Sequence, residues 1–286
     1  MNSEIAIGNQ TAFAAADFLA PFQYALDNGF DAFEWFPDKK PNGAGWDETD
    51  LNAELRAKVR RQAQAAGMRL SVHARWTANP LQPDGIPILL RDAELVASLG
   101  ATLLNLHLYT EAGIPAFAES LTPLLQRTNA AGLQVSLENT VETSPDDFNE
   151  FFALLRSAAP DLAKGVGMCL DIGHANLCTA TRNDYLGFLD RLDPIVPLIH
   201  VHLHENWGDA DSHLPLFTGP ARFDPRGIEG LLRRLRAWNF SGSLILEQWP
   251  QPPSLLNEAR DRLREMLRKP RSVPAVAVPL PVSGRA

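Results

Sequence analysis

Short apolar segments alternate with longer amphipathic segments along nearly the whole chain. The apolar runs, which predict β-strands, cover residues 4–8, 30–36, 68–74, 101–109, 133–139, 166–174, 197–205 and 241–249. The longer runs, whose apolar positions recur at helical spacing, cover residues 15–29, 50–67, 87–100, 115–132, 144–158, 183–192, 224–239 and 254–269. Most strand segments are continuously apolar, which is typical of a parallel sheet covered on both faces. The pattern therefore predicts eight β-then-α units.

Residues at the segment ends support these boundaries. Gly29, Gly67, Gly100 and Gly132 each lie where a helical segment should end, as a left-handed C-terminal cap requires. Ser144, followed at once by proline, lies where a helix should begin. Local chemistry and periodicity therefore agree on where the helices start and stop.

Eight units in a chain of 286 residues favour a single (β/α)8 TIM barrel over residues 1–268. The alternative is an open doubly wound sheet, which usually carries a glycine-rich phosphate turn after its first strand. Residues 7–13, IGNQTAF, are not such a turn, so we prefer the closed barrel. The last segment, residues 269–286, is rich in proline and valine and has no helical period. We expect it to be an extended or mobile tail.

The composition narrows the choice of partners. The formal net charge is −8 and the sequence pI is about 5.4, so nothing draws the whole chain toward nucleic acid or an anionic membrane. No apolar run approaches the roughly 18 residues of a membrane span, and the N-terminus does not resemble a secretory signal. Two cysteines, Cys169 and Cys178, cannot form a disulfide framework. We therefore expect a cytoplasmic protein, and the sequence leaves open whether it forms a homo-oligomer.

Polar residues gather where the predicted strands end, which is where barrel enzymes carry their chemistry. All seven histidines lie at or near these ends, and three acids interrupt apolar strand segments. A buried carboxylate is costly unless a cation or several donors meet it. Imidazoles and carboxylates converging on one mouth therefore predict a divalent metal site. The residues concerned are His73, His107, Glu138, Asp171, His174, His200, His202, His204, Asp209, Asp211, His213 and Glu247.

The seventh strand carries three histidines on one face, because strand side chains repeat every two residues. His200, His202 and His204 are then spaced about 6.6 Å apart along the barrel wall and cannot all reach one ion. We expect His202 to bind the metal, His200 to be a deeper hydrogen-bonded core residue, and His204 to lie near the substrate or behind the ligands. In the loop that follows, Asp211 and His213 share one side and are positioned to chelate as a pair.

Seven short motifs occur in an order that resembles the xylose isomerase-like barrel superfamily, which is also known as AP endonuclease family 2. They are SVHARW, LLNLHLY, LENT, DIGHANL, HVHLHEN, DSHLPLFTG and LILEQW, and the resemblance covers about residues 5–268. This superfamily contains sugar isomerases and epimerases as well as nucleases of the endonuclease IV class. Each motif is weak alone, and the resemblance depends on the ordered set.

The resemblance implies a set of metal ligands. Glu138, Asp171, His202 and Glu247 match the single-metal site of the sugar isomerases and epimerases, which holds Mn²⁺ or Zn²⁺, or alternatively Mg²⁺ or Co²⁺. In those members two glutamates, here Glu138 and Glu247, act as acid and base, and His174 matches a residue that hydrogen-bonds the sugar. The additional residues His73, His107, Asp211 and His213 match positions that complete a three-zinc cluster in the nuclease members.

Two enzyme classes follow from this resemblance. The first is a metal-dependent isomerase or epimerase that acts on a sugar, sugar phosphate or related polyol through an enediolate. The alternative is an endonuclease IV-like zinc phosphoesterase that acts on abasic DNA. Ser212 replaces a basic residue usual in the nucleases, and Gly208 replaces an arginine of the epimerases. We prefer the first, with a carbohydrate as substrate; a barrel that only binds metal and a lyase remain further alternatives.

Several further residues are candidates for contacting the substrate. Besides His174 and His204, they are Trp76 and Trp207, whose rings suit the C–H faces of a sugar, and Glu34 at the end of the second strand. Each has a structural alternative: the tryptophans, with Trp35 and Trp249, would cap the barrel rim, and Glu34 would be a hydrogen-bonded structural acid.

Overall fold

A computed structural model describes residues 5–11, 15, 17–40 and 43–268. Eight parallel strands close into a barrel in sequence order: β1 Ala6–Gln10, β2 Ala32–Trp35, β3 Arg69–His73, β4 Leu103–His107, β5 Gln134–Glu138, β6 Val166–Asp171, β7 Leu198–Leu203 and β8 Ser243–Leu246. The helices are α1 Ala20–Asp27, α2 Ala53–Ala66, α3 Gly85–Leu99, α4 Ile114–Ala130, α5 Pro145–Ala158, α6 Pro160–Ala163, α7 Ile172–Leu177, α8 Tyr185–Asp190, α9 Arg226–Ala237 and α10 Ser254–Arg268. The predicted (β/α)8 barrel is confirmed, and the predicted tail, residues 269–286, lies outside the described residues.

Most predicted boundaries are within two residues of the observed ones, and two of the larger differences have a clear cause. The first helix begins at Ala20 instead of residue 15, because Pro21 fits the first turn of a helix and not its interior. The sixth strand ends at Asp171 instead of residue 174. There the Asp171 carboxylate accepts a hydrogen bond from the backbone N–H of His174 at 2.7 Å and caps α7, a short helix that the sequence analysis missed.

The helix-terminal residues behave as expected. Gly67 and Gly100 cap α2 and α3 with φ angles of 65° and 71°, and Gly29 and Gly132 are also left-handed just after their helices. At the start of α5, the backbone N–H and the hydroxyl of Ser144 both donate to the carboxylate at N3 of that helix, at 2.7 and 2.8 Å.

Apolar packing lies mainly outside the strands. Outward-facing residues such as Leu137, Val201 and Leu203 are buried against the surrounding helices in one large cluster. A separate small cluster of Ala6, Ala32 and Ile245 joins β1, β2 and β8. Ile245 is in register with His202, which points into the barrel, so this cluster belongs to the interior. Much of the rest of the interior therefore carries polar side chains in place of the usual layers of branched aliphatic residues.

Candidate metal centre at the barrel mouth

The four predicted first ligands come together at the end of the barrel. The Nδ1 atom of His202 lies 3.2 Å from a Glu138 oxygen, 3.4 Å from a Glu247 oxygen and 3.9 Å from an Asp171 oxygen. Donor atoms bound to one ion at about 2.0–2.2 Å are themselves about 3–4 Å apart. Strand order explains the convergence, since these residues lie at the carboxyl ends of β5, β6, β7 and β8, and Asp171 and His202 are in register.

Unpartnered buried atoms test whether this site fits a divalent cation. Glu138 Oε1, His202 Nδ1 and Glu247 Oε2 are buried and have no hydrogen-bond partner. Four potential ligand atoms, one from each residue, also lie within 4.8 Å of one another; the residues are His73, Glu138, His202 and Glu247. Unsatisfied buried acceptors are costly, and a divalent cation between His202 Nδ1 and Glu247 Oε2, which lie 3.4 Å apart, would offset that cost. The donor set of carboxylates and imidazoles suits Mn²⁺ and Zn²⁺.

His73 and His107 flank this centre on one side. Nε2 of His73 lies 3.1 Å from Glu138 Oε2, and Nε2 of His107 lies 3.6 Å from Glu138 Oε1. The Nδ1–H of His73 donates to the carbonyl oxygen of Ala74 at 2.6 Å. This bond keeps a proton on Nδ1, so Nε2 is the nitrogen that could bind a metal ion once any proton on it is displaced.

His174, Asp211 and His213 flank the centre on the other side. Nε2 of His174 and Nε2 of His213 each lie 3.2 Å from the same Asp211 oxygen. The Nδ1–H groups of both rings donate to backbone carbonyls, of Asn139 at 2.8 Å and of Glu247 at 3.3 Å. Both rings therefore direct Nε2 toward Asp211, where a bound metal ion would take the place of the proton on that nitrogen. The structure brings Asp211 and His213 together as the predicted pair requires, and their chelation of an ion stays a prediction.

An isolated antiparallel bridge at the base of the loop after β7 brings Asp211 and His213 back over the mouth. The backbone groups of Glu205 and Leu214 exchange two hydrogen bonds, of 2.9 and 2.8 Å. His213 has a left-handed φ of 44°, which is uncommon for a residue other than glycine. The Glu205 carboxylate holds the next part of the loop by accepting from the backbone N–H of Ala221 at 2.6 Å.

The imidazoles and carboxylates of this cluster shift one another's pKa values. Burial alone would raise the pKa of Glu138, but His202 and His73 outweigh it and hold that pKa well below its usual range. Burial would lower the pKa of His174, but Asp171 and Asp211 raise it well above its usual range. In the metal-free protein, protons therefore occupy positions between nitrogen and oxygen ligands, and metal binding displaces them.

The metal-free protein should lose thermal stability as the pH rises from 6.5 to 9. Burial opposes protonation of His213, but its hydrogen bond to Asp211 raises the pKa of the imidazole from 6.5 to about 9. Because the folded pKa exceeds the unfolded one, this pair stabilises fully below pH 6.5, and the contribution disappears as the pH passes 9. The measurement is the melting temperature of chelator-treated protein against pH, compared with His213→Asn, since asparagine tolerates the left-handed backbone. An identical pH slope in both proteins would contradict this role.

Three predicted substrate contacts are not among the residues that line the cavity at the mouth. His204 sits behind the ligands, where its Nε2 is 3.0 Å from Asp171 and its ring stacks on His213 at 3.8 Å. Its position against α7 depends on Gly173, because a Cβ there would lie 2.0 Å from the ring. Glu34 is fully buried beneath the site. Trp207 is half-exposed and lines a different cavity of about 360 Å³, because the Asn206 side chain donates to the Gly173 carbonyl and holds the loop toward α7.

The remaining predicted residues are also located by the structure. His200 is buried below His202, as expected, and Trp35 is packed in the apolar core. Asp209 is exposed, and its carboxylate accepts from the backbone N–H of Ala210. Trp76 is half-exposed at the rim of the mouth. The strand-end residues expected to bind metal therefore converge on one mouth, while Asp209 stands apart from them.

A cavity of about 570 Å³ opens above the metal centre. It is lined by Gln10, Thr11, Phe36, Asp38, Lys40, His73, Trp76, His107, His174, Asp211, His213, Pro215, Glu247, Gln248, Trp249 and Pro250. Four of these residues were not among the predicted site residues: Gln10, Asp38, Lys40 and Gln248. Their position at or just after the ends of β1, β2 and β8 was the available signal, but neutral amides and a lysine near an aspartate are common in any loop.

Comparison with known proteins assigns the chain to a family. A family model described as xylose isomerase-like TIM barrel matches residues 22–266. The chain belongs to the xylose isomerase-like TIM barrel family. The resemblance expected from the ordered motifs is therefore confirmed. The polar strand-end residues, from His73 to Glu247, all lie within the matched region of this barrel.

Individual relatives are more distant. An uncharacterized protein of Methanocaldococcus jannaschii, MJ1311, is 28% identical over 135 residues, which cover 45% of this chain and 41% of that protein. The structure of a D-tagatose 3-epimerase-like protein has a TM-score of 0.70 at 20% identity, and covers 92% of this chain and 97% of its own. Endonuclease IV from Thermus thermophilus has a TM-score of 0.63 at 22% identity, with 92% and 98% covered. At these identities the structural likeness establishes the fold alone.

The described part of this xylose isomerase-like barrel has no helix that combines the length and the apolar character needed to cross a membrane.

Proposed function

We propose that this xylose isomerase-like barrel is a divalent-metal-dependent isomerase or epimerase of a sugar, a sugar phosphate or a related polyol. The observation that carries the proposal is the placement of two carboxylates, Glu138 and Glu247, against the same His202 nitrogen at 3.2 and 3.4 Å. They come from β5 and β8, which are three strands apart around the barrel, and so approach a bound substrate from different directions. Two such groups suit the removal of a carbon-bound proton and its return.

A divalent ion held by Glu138, Asp171, His202 and Glu247 would polarise adjacent substrate oxygens and lower the cost of an enediolate. The protein supplies the acid and base. Burial opposes ionisation of Glu247, but His202 and His213 outweigh it and hold its pKa well below the usual range, so its carboxylate is available to accept a proton. Glu247 lines the cavity, while Glu138 is fully buried behind the lining residues His73 and His107, 3.1 and 3.6 Å from their Nε2 atoms.

The cavity walls suit a polyhydroxylated substrate. Phe36, Trp76 and Trp249 give it apolar ring surfaces, which pack against sugar C–H groups, and the histidines opposite offer hydrogen bonds to hydroxyls. His174 and His107 stand at the polar wall, next to the Glu138 carboxylate at 3.5 and 3.6 Å. In this role they orient substrate hydroxyl groups over the two glutamates.

A zinc phosphoesterase is the second candidate function, and one observation favours it. Histidine Nε2 atoms point at carboxylates on both sides of the central site. On one side His73 and His107 face Glu138, and on the other His174 and His213 face Asp211. Three ions in this arrangement would activate water and hold both oxygens of a phosphodiester. Against this candidate stand the net charge of −8 and a mouth lined by a single lysine or arginine among the described residues, Lys40.

Metal stoichiometry and substrate turnover together test the proposal. We expect about one tightly bound Mn²⁺ or Zn²⁺ per chain by elemental analysis. In a panel of free and phosphorylated ketoses in D₂O, we expect deuterium to enter the carbon next to the carbonyl group of the true substrate. The comparison is a duplex with one abasic site, incubated with the same pure protein. Three bound zinc ions together with nicking of that duplex would replace the isomerase proposal by the phosphoesterase.

A further inference from the structure

Three polar side chains form a buried floor beneath the metal ligand His202. They are Glu34 on β2, Ser71 on β3 and His200 on β7, and each is at least 95% buried. One Glu34 oxygen, Oε2, accepts from the Ser71 hydroxyl at 2.8 Å and contacts His200 Nε2 at 2.9 Å. The other, Oε1, lies 2.7 Å from His202 Nε2; both atoms are buried and have no other hydrogen-bond partner, so a small rotation of the ring would bring them into line with each other. The Glu34 carboxylate therefore links Ser71 and His200 to the Nε2 side of the His202 ring, opposite the nitrogen that faces the candidate metal centre.

The two ring nitrogens of His202 contact different groups. Nδ1 faces the carboxylates of the metal centre, whereas Nε2 faces Glu34. A neutral imidazole carries one proton, and a carboxylate beside Nε2 selects the tautomer with that proton on Nε2 and the lone pair on Nδ1. The same contact makes the ring more basic and limits its rotation.

Glu34 has no path to a substrate. Its side chain is fully buried, and the ring of His202 lies between it and the carboxylates above. Its partners also fix its own orientation, because Ser71 and His200 both engage Oε2 and leave Oε1 for His202. Strand register supports this arrangement, since Glu34 and Ser71 are direct neighbours across β2 and β3.

We propose that Glu34 is a positioning residue, which accepts the Nε2–H of His202 and so directs Nδ1 of that ring at the metal. The role rests on the metal-dependent function proposed above. Ser71 and His200 hold the Glu34 carboxylate in place through its other oxygen, Oε2. The substrate contact expected for Glu34 from sequence is replaced by this role.

The test is the metal affinity of Glu34→Gln, measured with metal-free full-length protein by Mn²⁺ and Zn²⁺ titration against a competing chelator. Loss of a hydrogen-bonding partner behind a metal ligand typically weakens metal binding about 10–100-fold, and we expect a reduction of that size. The matched control is Asp92→Asn, which also neutralises a fully buried carboxylate, but one bonded to Arg75 at 2.9 Å instead of to a histidine. We expect its metal affinity to equal that of the wild type.

A measurement on the wild type keeps the proposal testable if Glu34→Gln does not fold. Nitrogen-15 NMR of the histidine rings in the zinc-loaded protein should show His202 protonated on Nε2. Protonation on Nδ1, or a Glu34→Gln protein that folds and binds metal as tightly as the wild type, would overturn the role of Glu34 and leave the proposed function standing. A wild type that binds neither ion would overturn both together.

Discussion

Replacement of either glutamate of the metal centre by glutamine is expected to abolish exchange of the substrate's carbon-bound proton with solvent. Glu138 and Glu247 contact the same His202 nitrogen and are the carboxylates best placed to act as acid and base. General acid–base groups contribute about 10²–10⁴-fold to turnover, so each substitution should lower kcat by at least that factor. The measurement is deuterium incorporation from D₂O alongside product formation.

The control is Glu119→Gln, which neutralises an exposed glutamate on α4 and should leave turnover unchanged. Because Glu138 and Glu247 are also proposed ligands, the metal content of each variant has to be measured in the same samples. A variant that keeps its metal and loses exchange supports the acid–base assignment. Exchange retained by both variants would remove these two residues from their assigned roles.

Removal of the metal should cause a large loss of thermal stability. Without a cation, the fully or nearly fully buried carboxylates of Glu138, Asp171 and Glu247 depend on protonated histidines alone for neutralisation. A ligand present at about 100–1,000 times its Kd stabilises the native state by about 2.7–4.1 kcal/mol. For a chain of this size that corresponds to roughly 5–15 °C in melting temperature.

This effect is measured by thermal unfolding before and after treatment with a strong chelator, and after re-addition of Mn²⁺ or Zn²⁺. The Asp171→Asn variant is the comparison, because its weakened site should show a smaller shift. Stability that does not change on chelation, in protein shown to have lost its metal, would mean that the cluster is held together without an ion. The metal-dependent proposal would then lose its physical basis.

The barrel itself could be predicted because its determinants are local. Apolar runs of strand length, helical spacing, and glycines such as Gly67 and Gly100 act within a few residues of their position. The rule that chemistry lies at the carboxyl ends of barrel strands then indicated polar residues that the structure brings to one mouth, and their roles stay predictions. It predicted His73 and His107 at the same mouth as Glu138, although they are distant from it in sequence.

Local patterns failed where a side chain's surroundings depend on a loop or on the opposite wall of the barrel. Trp207 follows the same strand as His202, yet it lines a separate cavity. His204, by contrast, lies behind Asp171, which is one of the two positions expected for it. The β7 loop decides the position of Trp207 through the contact of Asn206 with Gly173. The short helix α7 was missed for a similar reason, because its cap is a residue that the sequence pattern assigned to the strand and the metal.

The sequence by itself determined a closed barrel of eight units, most limits of its longer helices, and the set of histidines and acids at its mouth, since periodicity and capping are properties of neighbouring residues. Only the tertiary structure decided which of those side chains face the cavity and which support them from behind. Glu34 illustrates the difference, because its contacts with Ser71 and His200 join strands β2, β3 and β7 across the barrel. Closure of the sheet creates such contacts, and no spacing along the chain encodes them.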